Sequence, residues 1–329
     1  MSSKYCEINR ENPKLAIVVP CYNEEEVLDK TIATLRSVLS DLVSSRKISE
    51  ESYMLFVDDG SRDQTWNIIV NHSKKFPVVK GIKLSRNRGH QIALIAGMQY
   101  AKDRCDCLVT IDADLQDDVD AIKQMVEKYI EGYDVVYGVK WERRADSFFK
   151  RFTAEFYYRI MNLFGVNLVF NHADFRLLSS KATRYLLEFK ERNVFIRGLV
   201  PLVGLKSTSV YYKINERLGG KSKYTLRKMF SLAWDGITSF SILPLRVISI
   251  IGFFIFIVSI FMEIWVLVVK LFTDEALPGW ASTVLPIYFI GGVQLLALGV
   301  VGEYIGKMYY EVKNRPLYFI EEVTWNAKD

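Results

Sequence analysis

Carboxylates and amides recur along this chain at spacings that could hold a cation beside a phosphate. Asp112, Asp114 and Gln116 stand at i, i+2 and i+4 in DADLQ, directly after the apolar run CLVTI. On an extended segment those positions point to one side. Three oxygen-bearing side chains would then face one hard divalent cation, of the kind that bridges protein carboxylates to substrate phosphates. The competing reading is an ordinary polar loop, in which a lone DxD is common. Asp58 and Asp59, in VDDGSRDQT, offer acceptors suited to a ribose hydroxyl or a base imide; the alternative is a solvated turn with Asp63 capping the next helix. Asp174 lies beside Arg176 in NHADFRLL, between stretches of helical character, where a helix cap or a surface ion pair would equally account for it. Basic residues recur at Lys140, Arg143, Arg144, Lys150 and Arg151, and again in ERLGGKSKY, residues 216–224. Gly219 and Gly220 give that second run freedom to close over an anionic ligand as a lid, against the plainer reading of a solvated charged face.

Such groups act together only if a frame brings them together. Leu15–Pro20, Tyr53–Val57, Val78–Leu84 and Cys107–Ile111 are short continuous apolar runs, the pattern of strands covered on both faces. Helix-length segments lie between and after them, from about Glu24 to Ser44, Thr65 to Lys75, Gln91 to Ala101 and Val119 to Glu131. This alternation predicts a largely parallel α/β sheet. Polar clusters (YNEEE, DDGSRDQT, SRNRGHQ and DADLQDD) follow the four strands directly. In such sheets ligands bind beyond the carboxyl ends of the strands, so all four clusters converge on one crevice. No GxGxxG follows the first strand and no GxxxxGK[ST] occurs, so a nucleotide there would be held without a dinucleotide fingerprint or a P-loop.

Composition sets the outer limits. Among 329 residues half are apolar, 13% aromatic and 25% charged, with a net charge of +5; this excludes disorder and collagen-like repeats and is too slight a positive balance to argue for nucleic-acid binding. Cys6, Cys21, Cys105 and Cys107 are too few and irregular for a disulfide scaffold or zinc knuckles and read as free thiols in a reducing compartment. The amino-terminal MSSKYCEINRENPK has no apolar signal region, so the first domain is expected not to be exported.

Beyond about residue 240 the composition shifts. Val247–Val269 is a 23-residue apolar run with Glu263 its one charged residue, and Thr283–Gly302 is 20 residues with none. At ~1.5 Å per residue each matches the ~30 Å hydrocarbon thickness of a bilayer. Buried core helices are the alternative, but two such lengths are hard to bury in a small domain. Arg217, Lys221, Lys223, Arg227, Lys228 and Arg246 precede the first span, and Lys307, Lys313 and Arg315 follow the second. The connecting TDEALPGWAS has no Lys or Arg, so both ends are expected in the cytoplasm. Glu263 is expected to face a protein neighbour and Glu303 the interface. Tyr224–Leu245 mixes Lys, Arg, Trp and Phe, as in helices lying along a membrane surface. Phe148, Phe149, Phe152, Phe156, Tyr157, Ile160, Met161 and Phe164 form a helical stripe expected to pack on the sheet. The expected domains are a catalytic unit over 1–223, juxtamembrane helices over 224–245, a membrane hairpin over 246–306 and a cytoplasmic tail over 307–329.

The ordered set VVPCYNEEE, VDDGSRDQT, LSRNRGHQIAL, DADLQDD, DFRLL, RLGGKSKY and GEYIGKMYYEVKNRP resembles the polyprenyl-phosphate glycosyltransferases of glycosyltransferase family two, similar to dolichol-phosphate mannosyltransferase, over about Lys14 to Pro316. The nearest subgroup is that of the undecaprenyl-phosphate glucosyltransferases. The resemblance implies an A-type, Rossmann-like glycosyltransferase fold followed by interfacial and two transmembrane helices. It also implies inverting transfer of a sugar from a nucleotide donor to a polyprenyl phosphate, with Mg²⁺ or Mn²⁺. UDP-glucose is the expected donor, with UDP-N-acetylglucosamine, UDP-galactose and GDP-mannose as alternatives. By matching position, Pro20, Tyr22, Asn23, Glu24, Asp58, Asp59, Arg86, Asn87, Gly89, Asp112 and Ala113 would bind the nucleotide sugar, and Asp112, Asp114 and Gln116 the metal. Asp174, Asp114 and Arg217 would be catalytic, and Lys140, Arg151, Arg176, Lys221 and Lys223 would meet the acceptor phosphate. The chain departs from the family pattern where GVK stands for GVR or GSR and RNRGHQ for NFGKE; Lys140 supplies charge without an arginine's bidentate fork.

The resemblance further implies a multi-pass protein of the bacterial inner membrane with a cytoplasmic catalytic domain, and it makes a homo-tetramer plausible. Gly291, Gly292, Gly299 and Gly302 suit close helix packing. A processive polysaccharide synthase is a rival reading, but the chain has no QxxRW and two helices cannot form a channel alone. An inactive nucleotide-binding adaptor is the other, and the intact carboxylates oppose it. Ending the chain after about Asp235 is expected to preserve donor binding and impair use of the lipid.

Overall fold

The computed structural model describes residues 10–140, 172–192, 194–213, 243–272 and 280–325. The chain divides into two compact units, one holding the described residues up to 213 together with 315–325, the other those from 243 to 314.

The first unit is built on the predicted alternation. β1 (Leu15–Cys21), β2 (Tyr53–Asp58), β3 (Val79–Leu84) and β4 (Cys107–Thr110) form parallel pairs β1–β2, β2–β3 and β1–β4. Every residue of β1, β2 and β4 is buried, which is why these segments read as unbroken apolar runs rather than alternating ones. α1 (Leu28–Ser44), α2 (Thr65–Lys75), α3 (His90–Ala101) and α4 (Ala121–Ile130) lie within about four residues of their expected limits. α3 rests directly on the sheet at Gly97, where a Cβ would come within 2.4 Å of Val18 Cγ1.

The second half of the sheet departs from the simple pattern. β5 (Val135–Lys140), β6 (His172–Ser179) and β7 (Ser207–Tyr212) extend it, with α5 (Ser180–Glu188) and α6 (Ile196–Leu202) between the last two strands. β6 runs antiparallel to both β4 and β5, and a short strand β8 (Ile320–Val323) pairs antiparallel with β3 at the other edge. The order is β7-β5-β6-β4-β1-β2-β3-β8. Asp174 therefore sits on a strand and not between helices as expected. The chain turns from β1 toward β2 and β3 on one side and resumes at β4 on the other, so the strand order reverses beside β1. That is where such sheets open a crevice.

The second unit contains two long helices, α7 (Leu243–Phe272) and α8 (Trp280–Lys313), which cover both apolar runs. Phe253, Phe254 and Phe261 on α7, and Leu295, Leu296 and Leu298 on α8, stand exposed, an apolar surface of the kind that meets lipid or another chain. Among the described residues one stretch, Phe289–Lys313, is long and apolar enough to cross a membrane. The stripe over 148–164, the basic residues Arg143, Arg144, Lys150, Arg151, Arg217, Lys221 and Lys223, and residues 224–242 lie outside the described residues.

Candidate active site

A cavity of about 370 Å³ opens at the carboxyl ends of β1, β2 and β4, lined among others by Pro20, Tyr22, Glu24, Asp59, Asn87, Gly89, His90, Asp112, Ala113 and Asp114. All four polar clusters noted in the sequence contribute to it. Of the residues expected to bind the nucleotide sugar, Asn23, Asp58 and Arg86 are outside this lining. Asn23 instead accepts the Arg62 N–H at 2.9 Å.

Each wall has its own support. Asp59 leaves β2 with its N–H on Cys21 O, while its two carboxylate oxygens accept the amides of Arg88 (2.7 Å) and Gly89 (2.8 Å). Its main work is thus to hold the loop 85–89 against the end of the sheet. Burial raises its pKa, and those two amides oppose the rise. Asp58 gives one oxygen to Ser61 N–H at 3.2 Å, and its other oxygen, Oδ2, is buried without a hydrogen-bond partner. Gly60 (φ +67°) lets the Asp59 turn and that loop touch, for a Cβ there would lie 2.7 Å from the Arg86 carbonyl carbon.

After β4 the chain does not stay extended. Leu115 takes a positive φ of 55°, Gln116 N–H bonds back to Asp114 Oδ1 at 3.2 Å, and Thr31 Oγ1 donates to Ala113 O at 2.6 Å. The turn brings Asp112 and Asp114 to the cavity but breaks the alternation that was to carry Gln116 with them, and Gln116 is not in the lining. Asp112 and Asp114 supply hard oxygen donors suited to a divalent cation. No group of three His, Cys, Asp or Glu among the described residues is arranged to hold a metal; a cation here would complete its shell with water and ligand oxygens, as Mg²⁺ does when it bridges carboxylates to phosphates. Enclosure pushes Asp112 up to about 6, with His90 pulling the other way and Asp174, Asp117 and Asp114 adding to the rise. Solvent still reaches 46% of this side chain through the cavity mouth, and a cation there would relieve the repulsion from the neighbouring carboxylates.

Asp174 is set differently. Its carboxylate accepts Arg176 Nη2 at 2.7 Å, Arg197 Nε at 3.2 Å and Nη2 at 2.9 Å, and Gln91 Nε2 at 3.4 Å. Burial alone would raise its pKa. Contact with His90 and the two guanidinium groups overcome that and hold it well below the usual carboxylate range. His90 Nε2 stands 3.5 Å from both Asp112 and Asp174 and joins the two settings; its own pKa is raised, those carboxylates outweighing burial.

Arg176 was expected at the acceptor phosphate, but its side chain is 1% exposed. On β6, between β4 and β5, it is inside the sheet and serves Asp174. Arg197 is the guanidinium that reaches outward, 42% exposed. It lies in NVFIRGLV, an apolar stretch with no polar cluster to mark it. Lys140 closes β5 and pairs with Asp117 at 3.3 Å, whose oxygen also accepts Tyr212 OH at 2.6 Å, so its charge is shared with a buried carboxylate. His90 belonged to a polar cluster visible in the sequence, but nothing there placed it between two carboxylates. Cys21, Cys105 and Cys107 are free and buried.

The profile of the family described as glycosyl transferase family 2 matches residues 16–187. A Bacillus subtilis protein described as an uncharacterized glycosyltransferase, YkoT, is 47% identical over 98% of this chain and 95% of its own length. The SfII prophage-derived bactoprenol glucosyl transferase of Shigella flexneri is 37% identical over 94% of this chain and 98% of its own. Among solved structures, a mycobacterial protein aligns with a TM-score of 0.48 at 15% identity, over 69% of this chain and 73% of its own.

Proposed function

The chain belongs to glycosyl transferase family 2, and on that premise we propose that it transfers glucose from UDP-glucose to a polyprenyl phosphate with inversion. The observation that carries the reading is that Asp112 and Asp114 line the cavity, while His90 beside them joins Asp112 to Asp174, a carboxylate already met by two arginines. The Shigella relative named a bactoprenol glucosyl transferase, alike over nearly its whole length, supports the choice of sugar and acceptor.

In this reading Pro20, Tyr22, Glu24, Asn87 and Gly89 shape the donor pocket. Asp112 and Asp114 would hold Mg²⁺ or Mn²⁺, which would supply positive charge to the leaving diphosphate. An oxygen of the acceptor phosphate attacks the anomeric carbon as the bond to the diphosphate breaks, and the electron pair leaves with UDP. That phosphate is already an anion near neutral pH, so no strong base is required. Asp174, held ionised by two arginines, is a positioning residue. It fixes Arg197, whose exposed guanidinium faces the acceptor and keeps it in line.

The catalytic unit works at the cytoplasmic face of a bacterial inner membrane, with α7 and α8 both crossing it and both chain ends inside. Residues 1–223 form the catalytic domain. Gly291, Gly292, Gly299 and Gly302 favour packing into a homo-tetramer.

The test is to incubate purified protein with undecaprenyl phosphate, Mn²⁺ or Mg²⁺ and a panel of sugar nucleotides, and to weigh the lipid products by mass spectrometry. One hexose added from UDP-glucose alone is expected. An N-acetylhexosamine increment would correct the sugar, ladders of several sugars would favour a processive synthase, and no lipid product from folded protein would overturn the proposal.

A further inference from the structure

The segment that follows the last long helix returns to the first unit and reaches the cavity wall. β8 pairs with β3, Ile82 opposite Val323 and Leu84 opposite Ile320. Gly81 N–H donates to Thr324 Oγ1 at 2.9 Å and Thr324 N–H to Gly81 O at 3.0 Å. Trp66 Nε1 donates to Glu322 Oε2 at 2.9 Å, Tyr318 OH to Gln99 Oε1 at 3.0 Å, and the Trp325 ring lies 4.6 Å from that of Tyr100. All four β8 residues are exposed, so directed bonds, more than burial of the strand itself, keep it in place.

Two further bonds reach the loop 85–89. Ser85 N–H donates to Phe319 O at 3.0 Å, and Arg88 Nε donates to Leu317 O at 2.6 Å. Arg88 is therefore held from both sides, by its main chain on Asp59 and by its side chain on the tail. Its neighbours Asn87, Gly89 and His90 line the cavity. Arg88 itself is not in that lining and acts through the loop.

We infer that Arg88 is a positioning residue for the nucleotide sugar and that the main-chain carbonyls of Leu317 and Phe319, and not the Tyr318 side chain, complete the donor site by holding the loop 85–89 where it shapes the cavity. This rests on the donor reading given above. It makes donor binding depend on a segment that follows the membrane helix in the chain. It also revises the expected effect of ending the chain near Asp235: such a chain lacks β8, and its donor binding weakens as well.

The test compares two full-length variants in detergent. Arg88→Met removes the side-chain donor and leaves the loop amides on Asp59; Tyr318→Phe removes a tail bond that leads to α3 and not to the loop. Arg88→Met is expected to raise the Kd for UDP and the KM for the sugar nucleotide by about three- to tenfold, to leave the acceptor KM unchanged, and to speed amide hydrogen exchange across 85–89. Tyr318→Phe is expected to leave all of these within about twofold. Unchanged donor constants and exchange in Arg88→Met would overturn the inference, as would equal effects of both variants with a shared loss of melting temperature. If the wild-type protein binds no UDP, the donor reading has failed instead, and the exchange comparison still decides whether the tail holds the loop.

Discussion

Asp112 and Asp174 face each other across His90, yet they stand in opposite electrostatic settings. Asp112, 46% exposed, is pushed up to about 6; Asp174, 7% exposed, is held well below the ordinary range. Burial raises both and would not have separated them. The difference lies in the charges nearby: Asp174 has two guanidinium groups within hydrogen-bond distance, whereas Asp112 has other carboxylates and the more distant His90. One side of His90 therefore has anionic charge to offer a cation, and the other has cationic charge to offer an anion. A reaction that moves a sugar from a leaving diphosphate to a second phosphate calls for both.

The largest effect should come from emptying the first side. Asp112→Ala or Asp114→Ala is expected to lower turnover by at least about a thousandfold, because the cation's anchoring carboxylate is lost where leaving-group charge develops. The protein should remain folded and membrane-bound, as circular dichroism and detergent extraction would show. Appreciable turnover in either variant would remove the metal assignment.

On the second side, the two residues of one ion pair should separate cleanly. Arg197→Ala is expected to cost about a hundredfold in kcat/KM, expressed mainly against the lipid acceptor, with donor affinity kept. Asp174→Asn acts on folding too, since it strips a buried Arg176 of its countercharge, and should destabilise the protein by about 3–5 kcal/mol. Chemical denaturation of both variants checks this: equal stability would mean that Arg176 is satisfied without Asp174.

The same contrast explains what the sequence could tell. β1, β2 and β4 were legible because both their faces are covered, so each is a continuous apolar run ended by a polar cluster, and β3 followed from its place between two helical stretches although Lys80 and Lys83 interrupt it. β6 was not legible, because HADFRLLS carries a buried ion pair whose two charges cancel only in space, and the run looked like a loop. β8, IEEV, is four exposed residues on an edge and has no apolar pattern to read. In the site, Asp112 and Asp114 were visible from their place after a buried strand. Gln116 was misplaced because the turn at Leu115 depends on local backbone geometry. Arg197 stayed hidden, since a single arginine in an apolar stretch becomes informative only once β6 brings Asp174 to it.

The smallest effect tests the comparison most directly, through pH and without turnover. The folded-state pKa of Asp112, about 6, lies above the ~3.9 of an unfolded aspartate, so between those values the folded protein binds the extra proton. Stability contributed by this group is present at low pH and is lost as pH rises through about 6. Asp174 runs the other way: its contribution is complete above ~3.9 and is lost as pH falls through its lowered folded value. In chelator, Asp112→Asn should therefore melt about 1–3 °C above wild type at pH 7, and the advantage should shrink as pH falls from about 6 toward 4. With Mn²⁺ present, protons compete for the same carboxylate, so the half-saturating metal concentration for the wild type should climb below about pH 6. A melting difference that did not vary with pH would mean that Asp112 is as well neutralised as Asp174, and the asymmetry of the cavity would have to be assigned to other groups.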